Sequence, residues 1–557
     1  MSNSSNVAAD SFKLGQRVHS ANDTRRIGTV KYVGEVQGYS GTWIGVDWDG
    51  DGNGKHDGSV NGVRFFNARS EKSGSFVRVQ NLSPGISLLE ALQLRYKGEA
   101  SKEEEAIGNM AVYLLKWVVG CWSDEMYVLS ATNKRVSVEF VGKEKIQDKL
   151  SKFEELKSAS LSYMGVSSLG VDIGTIVPKL KELDLTGNLL SEWKVVGAIC
   201  EQLPGLTAVN FSNNIMSKDI SGLPQLKGIC ILVLNNTGIN WVQVEIIKPS
   251  LPVIEELHLM GNNISAIQPV SSPVVQGFET LRLLNLEDNS IAEWNEILKL
   301  SQLRSLEQLY LNKNNLSRIY YPDDDAICKL LGASESHEKS YMPFQNLRCL
   351  LLGNNEIEDL ASIDTLNLFP KLMEIRLSEN PIADPGRGGI PRFVLIARLG
   401  KIEILNGSEV SPRERKDSEI RYVRLVMSKL HDNPEEIKQL HPRFIELKDF
   451  YGIEDERPSI GAAGPQKMAS GLLSITLKCV GASIGEKPPL TKKLPATTTV
   501  GKLKSLCESF FKLKSIRLKL FLQEEGFPLP MLVDDEMASL MDLGVGNDST
   551  ILIDEES

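Results

Sequence analysis

One eleven-residue pattern, L-x-x-L-x-L-x-x-N-x-L with substitutions of similar size, recurs through the middle of the chain and constrains its fold more than any other feature. The steps between copies are 26, 23, 25, 27 and 25 residues up to position 314, then 41 to position 355 and 25 to position 380. A single unit of this size cannot bury its own apolar side, so the copies must stack. The asparagine position is occupied in order by Asn188, Asn214, Thr237, Asn262, Asn289, Asn314, Asn355 and Asn380.

The pattern predicts an α/β leucine-rich-repeat solenoid over 153–410. The L-x-L core of each copy predicts a short strand, and the Asn side chain is expected to satisfy backbone groups buried at the turn. About 16 residues are inserted near Tyr321–Pro343. A helix starting at Ser411–Glu414 is expected to close the array over 411–455. Degenerate spacing predicts a worn first copy at Leu156, Ala159, Leu161, Met164 and Val166.

Residues on either side of each strand leucine are expected on the concave face of the solenoid. The middle of that row is apolar, and an exposed apolar patch favours a protein partner. The alternative is that neighbouring loops cover it. The candidate contact residues are Val233, His258, Leu283, Tyr310 and Leu351.

The segment 10–82 has a different composition. It holds twelve of the 45 glycines and ten Lys/Arg against eight Asp/Glu, in a chain whose net charge is −10. Short β-type runs lie between the glycines, and no helical period appears, which predicts a small all-β barrel. A cationic module on an acidic chain indicates a small acidic ligand for that module, and the overall charge argues against nucleic acid.

The sharpest motif of this segment is Gly54-Lys55-His56-Asp57-Gly58-Ser59, followed by Phe65-Phe66 and preceded by Trp43. It closely resembles the CAP-Gly family, with His56 in place of the more common Asn. The resemblance covers about 70 residues and implies recognition of acidic C-terminal peptides that end in an aromatic residue, such as the end of α-tubulin.

The residue types suit that ligand. Glycines let backbone N–H groups approach a carboxylate, and Lys55 adds a cation. Trp43, Phe65 and Phe66 are expected to wall a groove for the terminal ring. The alternative is that the glycines only form turns and that the aromatic residues, above all Trp48 and one of Phe65 and Phe66, are core.

Metal and catalytic sites are not expected. The run Asp47–Gly52 resembles the start of an EF-hand loop, but position twelve would be Gly58 instead of Glu. Seven scattered cysteines without a CxxC pair predict neither a zinc site nor disulfides. The six histidines lack metal-ligand spacing and no nucleophile elbow occurs, so we expect no enzyme and no cofactor.

Three further regions complete the chain. A helical connector is expected over 83–152, with capping-box spacing at Ser87–Glu90 and a helix behind it. A linker rich in Pro, Gly, Ala and Ser follows at 456–471. Over 472–557, a strand, a hairpin, a helix and further strands predict an α+β ubiquitin-like β-grasp domain. The polar first residues and the lack of a long apolar run predict neither a secretory signal nor a membrane span.

The order of these modules resembles the tubulin-folding cofactor E family over nearly the whole chain. That resemblance implies a cytoplasmic, cytoskeleton-associated protein that binds α-tubulin and works with cofactors B, C and D to assemble and dissociate the α/β-tubulin heterodimer. For the ubiquitin-like end, a proteasome-type or ubiquitin-receptor protein and another cofactor remain open as partners.

Two other functions remain open. A microtubule-associated scaffold would use the CAP-Gly module on the polymer, although such proteins often add coiled coil or basic stretches that this chain lacks. A ubiquitin-pathway adaptor would deliver tubulin for degradation.

Overall fold

A computed structural model describes most of the chain and divides it into two compact units, Met1–Asn289 and Ser290–Ser557. The described residues are 12–50, 52–96, 127–129, 135–137, 152–220, 223–270, 272–322, 343–384, 387, 389–429, 439–453, 472–481, 487–513, 517–523, 530–533, 536, 539–540, 543, 545–546 and 548–555. The predicted linker at 456–471 and most of the insertion near Tyr321–Pro343 lie outside them.

The first unit begins with the predicted all-β barrel. Its strands form an antiparallel five-stranded sheet in the order Gly74–Val77, Tyr39–Trp48, Asp23–Val36, Arg17–Ser20, Leu82–Ser83. The pair Ser59–Val60 and Val63–Arg64 forms a separate ribbon, and a 3-10 turn spans Val79–Asn81. Alternate strand residues point inward and form the core, which contains Phe12, Val18, Val30, Ile44, Val46, Trp48 and Leu82.

The helix expected after the barrel spans Leu88–Tyr96. Its capping box forms as predicted, because the N–H of Glu90 donates to Ser87 Oγ (3.2 Å) and the N–H of Ser87 donates to Glu90 Oε2 (2.7 Å). The rest of the connector is not only helical. Tyr127–Leu129 and Arg135–Ser137, which carry β-favouring residues, form an antiparallel pair.

The predicted repeats are present, and each contributes a three-residue strand centred on the second leucine position of the pattern. In the first unit the strands are parallel neighbours in chain order and in register, and the worn first copy supplies the first of them. They are Ser158–Ser160, Glu182–Asp184, Ala208–Asn210, Ile231–Val233, Glu256–His258 and Leu283–Asn285. The second unit continues the pattern with Gln308–Tyr310, Cys349–Leu351, Glu374–Arg376, Ile404–Leu405 and the antiparallel Ser408–Glu409.

Helical segments return the chain between strands. The α-helices are Ile173–Ile176, Trp193–Gln202, Trp241–Ile247, Trp294–Leu298, Leu360–Thr365 and Arg392–Arg398. The 3-10 turns are Phe153–Glu155, Lys248–Ser250, Leu366–Leu368 and Pro381–Ala383. None of the helices within the described ranges is long and apolar enough to cross a bilayer.

The repeat asparagines do what the pattern predicts. Asn262 accepts hydrogen bonds from the N–H groups of Thr237 (2.9 Å) and Gly238 (2.8 Å), and its amide donates to the carbonyls of Leu234 (2.8 Å) and Leu259 (2.9 Å). One side chain therefore ties its own turn to the turn of the preceding copy. The other buried asparagines make the same kind of bonds, including Asn188, Asn214, Asn355 and Asn380.

The closing helix of the array spans Pro412–Lys429, and Ser411 Oγ accepts from the N–H of Glu414 as expected (3.1 Å). It packs with Arg392–Arg398 and Phe444–Phe450 around a core that contains Tyr422. Arg398, buried within this cap, pairs with Asp364 at 2.6 Å.

The C-terminal domain is the predicted ubiquitin-like β-grasp. One helix, Val500–Phe511, packs on a mixed five-stranded sheet in which the first and last strands are parallel neighbours. The strand order is Leu490–Pro495, Leu472–Cys479, Ser549–Glu555, Leu518–Gln523, Met531–Val533.

Candidate peptide-binding site of the barrel

The motif loop 54–59 packs against the backbone of 72–74. The N–H groups of Gly54 and Lys55 donate to the carbonyls of Lys72 and Gly74, both at 2.7 Å. A Cβ at Gly54 would lie 2.3 Å from the carbonyl carbon of Ser73. At Gly58, where φ is +98°, a Cβ would lie 2.0 Å from the Phe66 oxygen. Glycine is therefore required at both positions by close backbone packing.

This packing corrects the expectation that the loop offers bare amides to a carboxylate. The N–H of His56 donates to the Gly74 carbonyl (3.1 Å), and that of Ser59 donates to Asp57 Oδ1 (3.1 Å). The N–H of Gly58 donates to the His56 ring. These amides have acceptors within the barrel, so the attraction for an anion falls to side-chain cations.

His56 keeps the loop closed. Its Nδ1 accepts from the N–H of Gly58 at 3.0 Å, a bond that requires the neutral ring with its proton on Nε2. Partial burial lowers the pKa of His56 below its ordinary value, while Asp57 opposes and Lys55 reinforces the effect. The bond that an Asn would form at this position is thus supplied by the imidazole.

Asp57 is also committed to the loop. Its Oδ2 pairs with Arg64 at 2.6 Å, and hydrogen bonds from Arg64 and from the Ser59 backbone lower the pKa of its carboxyl group. Asp57 therefore shapes the turn. Lys55, in contrast, is exposed, and among the residues that the structure describes it forms no ion pair.

The outer side of the sheet carries a row of rings beside this loop. In the strand register Tyr32 faces Gly45, Gly34 faces Trp43, and Gly45 faces Phe76, so all five residues lie on the side opposite the core. The two glycines leave a shallow floor between the rings.

Phe65 and Phe66 join this row in different ways. The half-buried Phe65 meets Tyr32 and Phe76 edge-on, with ring centroids 5.3 and 5.4 Å apart. Phe66 is 7% exposed and packs under Phe76, so it takes the core role that was left open for one of the two. Trp48 is 1% exposed and is core as well.

Trp43 lies apart from Phe65 in a second cluster. Its ring meets Tyr39 edge-on at 6.0 Å, and the guanidinium of Arg78 lies over it at 3.7 Å. Trp43 Nε1 is buried, and it donates no hydrogen bond to any residue that the structure describes. Lys55 belongs to the motif loop, and Arg78 covers Trp43. We call the side of the sheet that carries Tyr32, Trp43, Phe65, Phe76 and Arg78 the aromatic face.

Tyr32, Phe76 and Arg78 were not among the residues predicted from the sequence. Their signal is a spacing of two: Tyr32-x-Gly34, Trp43-x-Gly45 and Phe76-x-Arg78 each place both members on one side of a strand. Only the register of the sheet brings the three pairs together.

Two carboxylates of the EF-hand-like run, those of Asp47 and Asp49, already have partners, and Asp51 lies outside the described residues. Asp49 pairs with the buried Arg17, and Asp47 accepts from Ser73 Oγ (2.7 Å) and from the N–H of Arg69 (3.2 Å). Among the described residues, His, Cys, Asp and Glu side chains form no group that could hold a metal ion.

The concave residues are less exposed than expected. Val233 and Leu283 are each 8% exposed. His258 is half-buried and lies 3.3 Å from a Glu256 oxygen. In the second unit Tyr310 and Leu351 are neighbours and remain half-buried, and the Tyr310 hydroxyl donates to Gln308 (2.7 Å).

Known proteins resemble this chain over its whole length. The CAP-Gly domain family model matches residues 14–82. A tubulin-folding cofactor E from Arabidopsis thaliana is 64% identical over 550 residues, which cover 98% of this chain and 99% of that protein. A tubulin-specific chaperone E from Danio rerio is 32% identical, covering 88% and 90%.

Solved structures also resemble parts of the chain. The C-terminal ubiquitin-like domain of mouse tubulin-specific chaperone e is 26% identical and covers 17% of this chain and 96% of that domain, with a TM-score of 0.14. The domain order, the motif loop and the two full-length relatives lead to one conclusion. The chain belongs to the tubulin-folding cofactor E family.

Proposed function

We propose that this protein is a tubulin chaperone that holds α-tubulin by its acidic C-terminal tail on the aromatic face and by its folded body on the repeats. The observation that carries the proposal is the row of half-buried rings with exposed Lys55 at its side. A peptide that ends in carboxylates and one aromatic ring is complementary to such a surface.

The chemistry divides between the two parts of the site. Lys55 attracts the tail carboxylates, since the loop amides are already bonded. The terminal ring enters the shallow floor between Tyr32, Phe65 and Phe76, where edge-on aromatic contacts add to burial of its area. Asp57 takes no part in binding and holds the loop.

Family membership supports the rest of the proposal. Its relatives are named as a tubulin-folding cofactor and a tubulin-specific chaperone. We infer that the chain acts in the cytoplasm without catalysing a reaction, and that it works with cofactors B, C and D in assembly and dissociation of the α/β-tubulin heterodimer.

The test is binding of a tubulin tail peptide to the full chain, with and without the terminal Tyr. We expect removal of the Tyr to abolish most of the binding, and Lys55→Ala to weaken it about tenfold, or ~1.4 kcal/mol. Lys13→Ala, which removes an exposed cation elsewhere in the barrel, is the matched control and should bind normally. Equal affinity for both peptides would refute the proposal.

A second measurement separates the chaperone from the microtubule scaffold. The chaperone should form a soluble complex with α-tubulin alone. Co-sedimentation with polymer in place of that complex would favour the scaffold.

A further inference from the structure

The helix Leu88–Tyr96 covers the first end of the repeat array. Leu88, Ala91 and Leu92 are fully buried, and Tyr96 is 2% exposed. The Tyr96 hydroxyl accepts a hydrogen bond from the N–H of Ser160 (3.0 Å), which belongs to the first strand of the array. A solenoid needs a cap at each end, because the outermost repeat otherwise exposes its core. The segment directly after the barrel supplies this cap.

A strand pair strengthens the attachment. Ile86–Ser87 runs parallel to Val166–Ser168 of the first repeat. The N–H of Ile86 also donates to the carbonyl of Gly165 at 2.9 Å. Only Pro84 and Gly85 separate this pair from the last barrel strand, Leu82–Ser83. Two residues leave little freedom for the barrel to turn relative to the repeats.

The barrel itself also touches the first repeat. Gly165 has φ +74°, and a Cβ there would lie 2.6 Å from Nε2 of the buried His19. The guanidinium of Arg25 lies 5.5 Å from the ring centre of Tyr163. The Tyr163 hydroxyl in turn accepts from the Asn213 side chain (3.2 Å), so the contact extends into the later repeats of the same unit.

We propose that the barrel and the first repeats form one rigid binding body. Its aromatic face and the surface formed by the repeat strands of the first unit, which we call the strand face, engage two parts of a single partner molecule. This inference rests on the proposed function. The segment 83–96 is thereby assigned to a structural joint, in place of a flexible connector.

The physical consequence is an intramolecular second contact. Once the tail is bound, the body of the same partner meets the repeats at a high effective concentration, and a rigid joint of matching geometry maximises that gain. A flexible joint lowers this effective concentration and adds the entropic cost of ordering the linker on binding.

The experiment inserts eight Gly/Ser residues between Ser83 and Pro84 of the full chain. This keeps the strand pair and the capping helix on the array but releases the barrel. Tail-peptide affinity should match that of the unaltered protein, whereas affinity for intact α-tubulin should fall about tenfold or more. The same insertion within 456–471, the sequence-predicted linker, is the control and should leave both affinities unchanged.

Amide relaxation of the barrel residues reports the joint without any ligand. In the unaltered full chain these residues should tumble as slowly as the repeats, and after the insertion they should tumble faster and independently. A barrel that already tumbles independently, or an insertion that leaves α-tubulin affinity unchanged, overturns the inference.

The double variant His19→Ala with Arg25→Ala tests the same joint without lengthening it. Both residues lie outside the aromatic face, so tail-peptide affinity should be retained while α-tubulin affinity falls. If the tail peptide fails to bind the unaltered protein, the proposed function fails, and that result is distinct from failure of the joint.

Discussion

The guanidinium of Arg78 lies 3.7 Å above the indole ring of Trp43, at the end of a strand pair whose outer side is otherwise aromatic. A cation held on a ring is positioned before any ligand arrives, so it loses little side-chain freedom on binding an anion. This contact makes Arg78 a candidate second cation for an acidic tail, in addition to Lys55.

Replacing Arg78 therefore gives the first prediction. Arg78→Ala should weaken tail-peptide binding about tenfold, or ~1.4 kcal/mol, and should change the Trp43 fluorescence because the cation leaves the ring. Arg78→Lys keeps the charge but stacks poorly on the indole ring. Its peptide affinity should therefore lie between those of Arg78→Ala and the unaltered protein. Normal peptide affinity in Arg78→Ala would show that Arg78 only shields the indole.

The second prediction concerns pH. The folded barrel keeps His56 neutral and lowers its pKa, so the unfolded chain binds more protons once the pH drops below about 6.5. Stability should therefore fall as the pH decreases from that value to the lowered pKa, and level off below it. Above about pH 7 the residue contributes no pH dependence.

His56→Asn is the matched variant, because Asn can accept from the Gly58 N–H but does not titrate. Thermal unfolding of both proteins between pH 7.5 and about 5 checks the prediction. The difference in melting temperature should grow in favour of the Asn variant at low pH; parallel curves would contradict it.

A third prediction tests the hydrogen bonds by which the repeat asparagines join successive turns. Asn262→Ala would remove the acceptor of the Thr237 and Gly238 N–H groups, at about 1–3 kcal/mol for each group that water cannot reach. It would also remove one of the two donors to each of the Leu234 and Leu259 carbonyls. We expect a loss of about 2 kcal/mol or more in urea unfolding followed by tryptophan fluorescence. Thr237→Ala removes only the hydroxyl bonded to the Leu234 carbonyl and should cost about 1 kcal/mol. Similar losses of unfolding free energy in both variants would contradict this role of the asparagine.

The fourth prediction separates stability from binding on the concave side. Val233→Asp places a charge at a site that is 8% exposed and should destabilise the array. Leu351→Asp changes a half-buried side chain in the second unit and should leave the fold intact. If the repeats hold the body of α-tubulin, Leu351→Asp should weaken that binding while tail-peptide affinity stays normal. Undiminished α-tubulin binding would show that the surface around Leu351 does not contact α-tubulin.

The sequence by itself determined the number and type of the parts. The repeat period predicted the solenoid, because the buried leucines and asparagines have the same role within each repeat and so recur at a fixed spacing. The glycine-rich segment around Lys55 predicted the barrel, while its ligand class stays a prediction. The capping box at Ser87 and the helix start at Ser411 could be predicted because each depends only on residues three positions apart.

Tertiary structure alone decided what depends on residues distant in the chain. The aromatic face exists because strand register brings Tyr32, Trp43 and Phe76 to one side of the sheet. The amides of Gly54, Lys55 and His56 are unavailable because the segment 72–74 accepts their hydrogen bonds. Val233 is nearly buried although its position in the repeat predicts an exposed residue. In each case the outcome is set by packing between segments, which the spacing of residues within one segment does not determine.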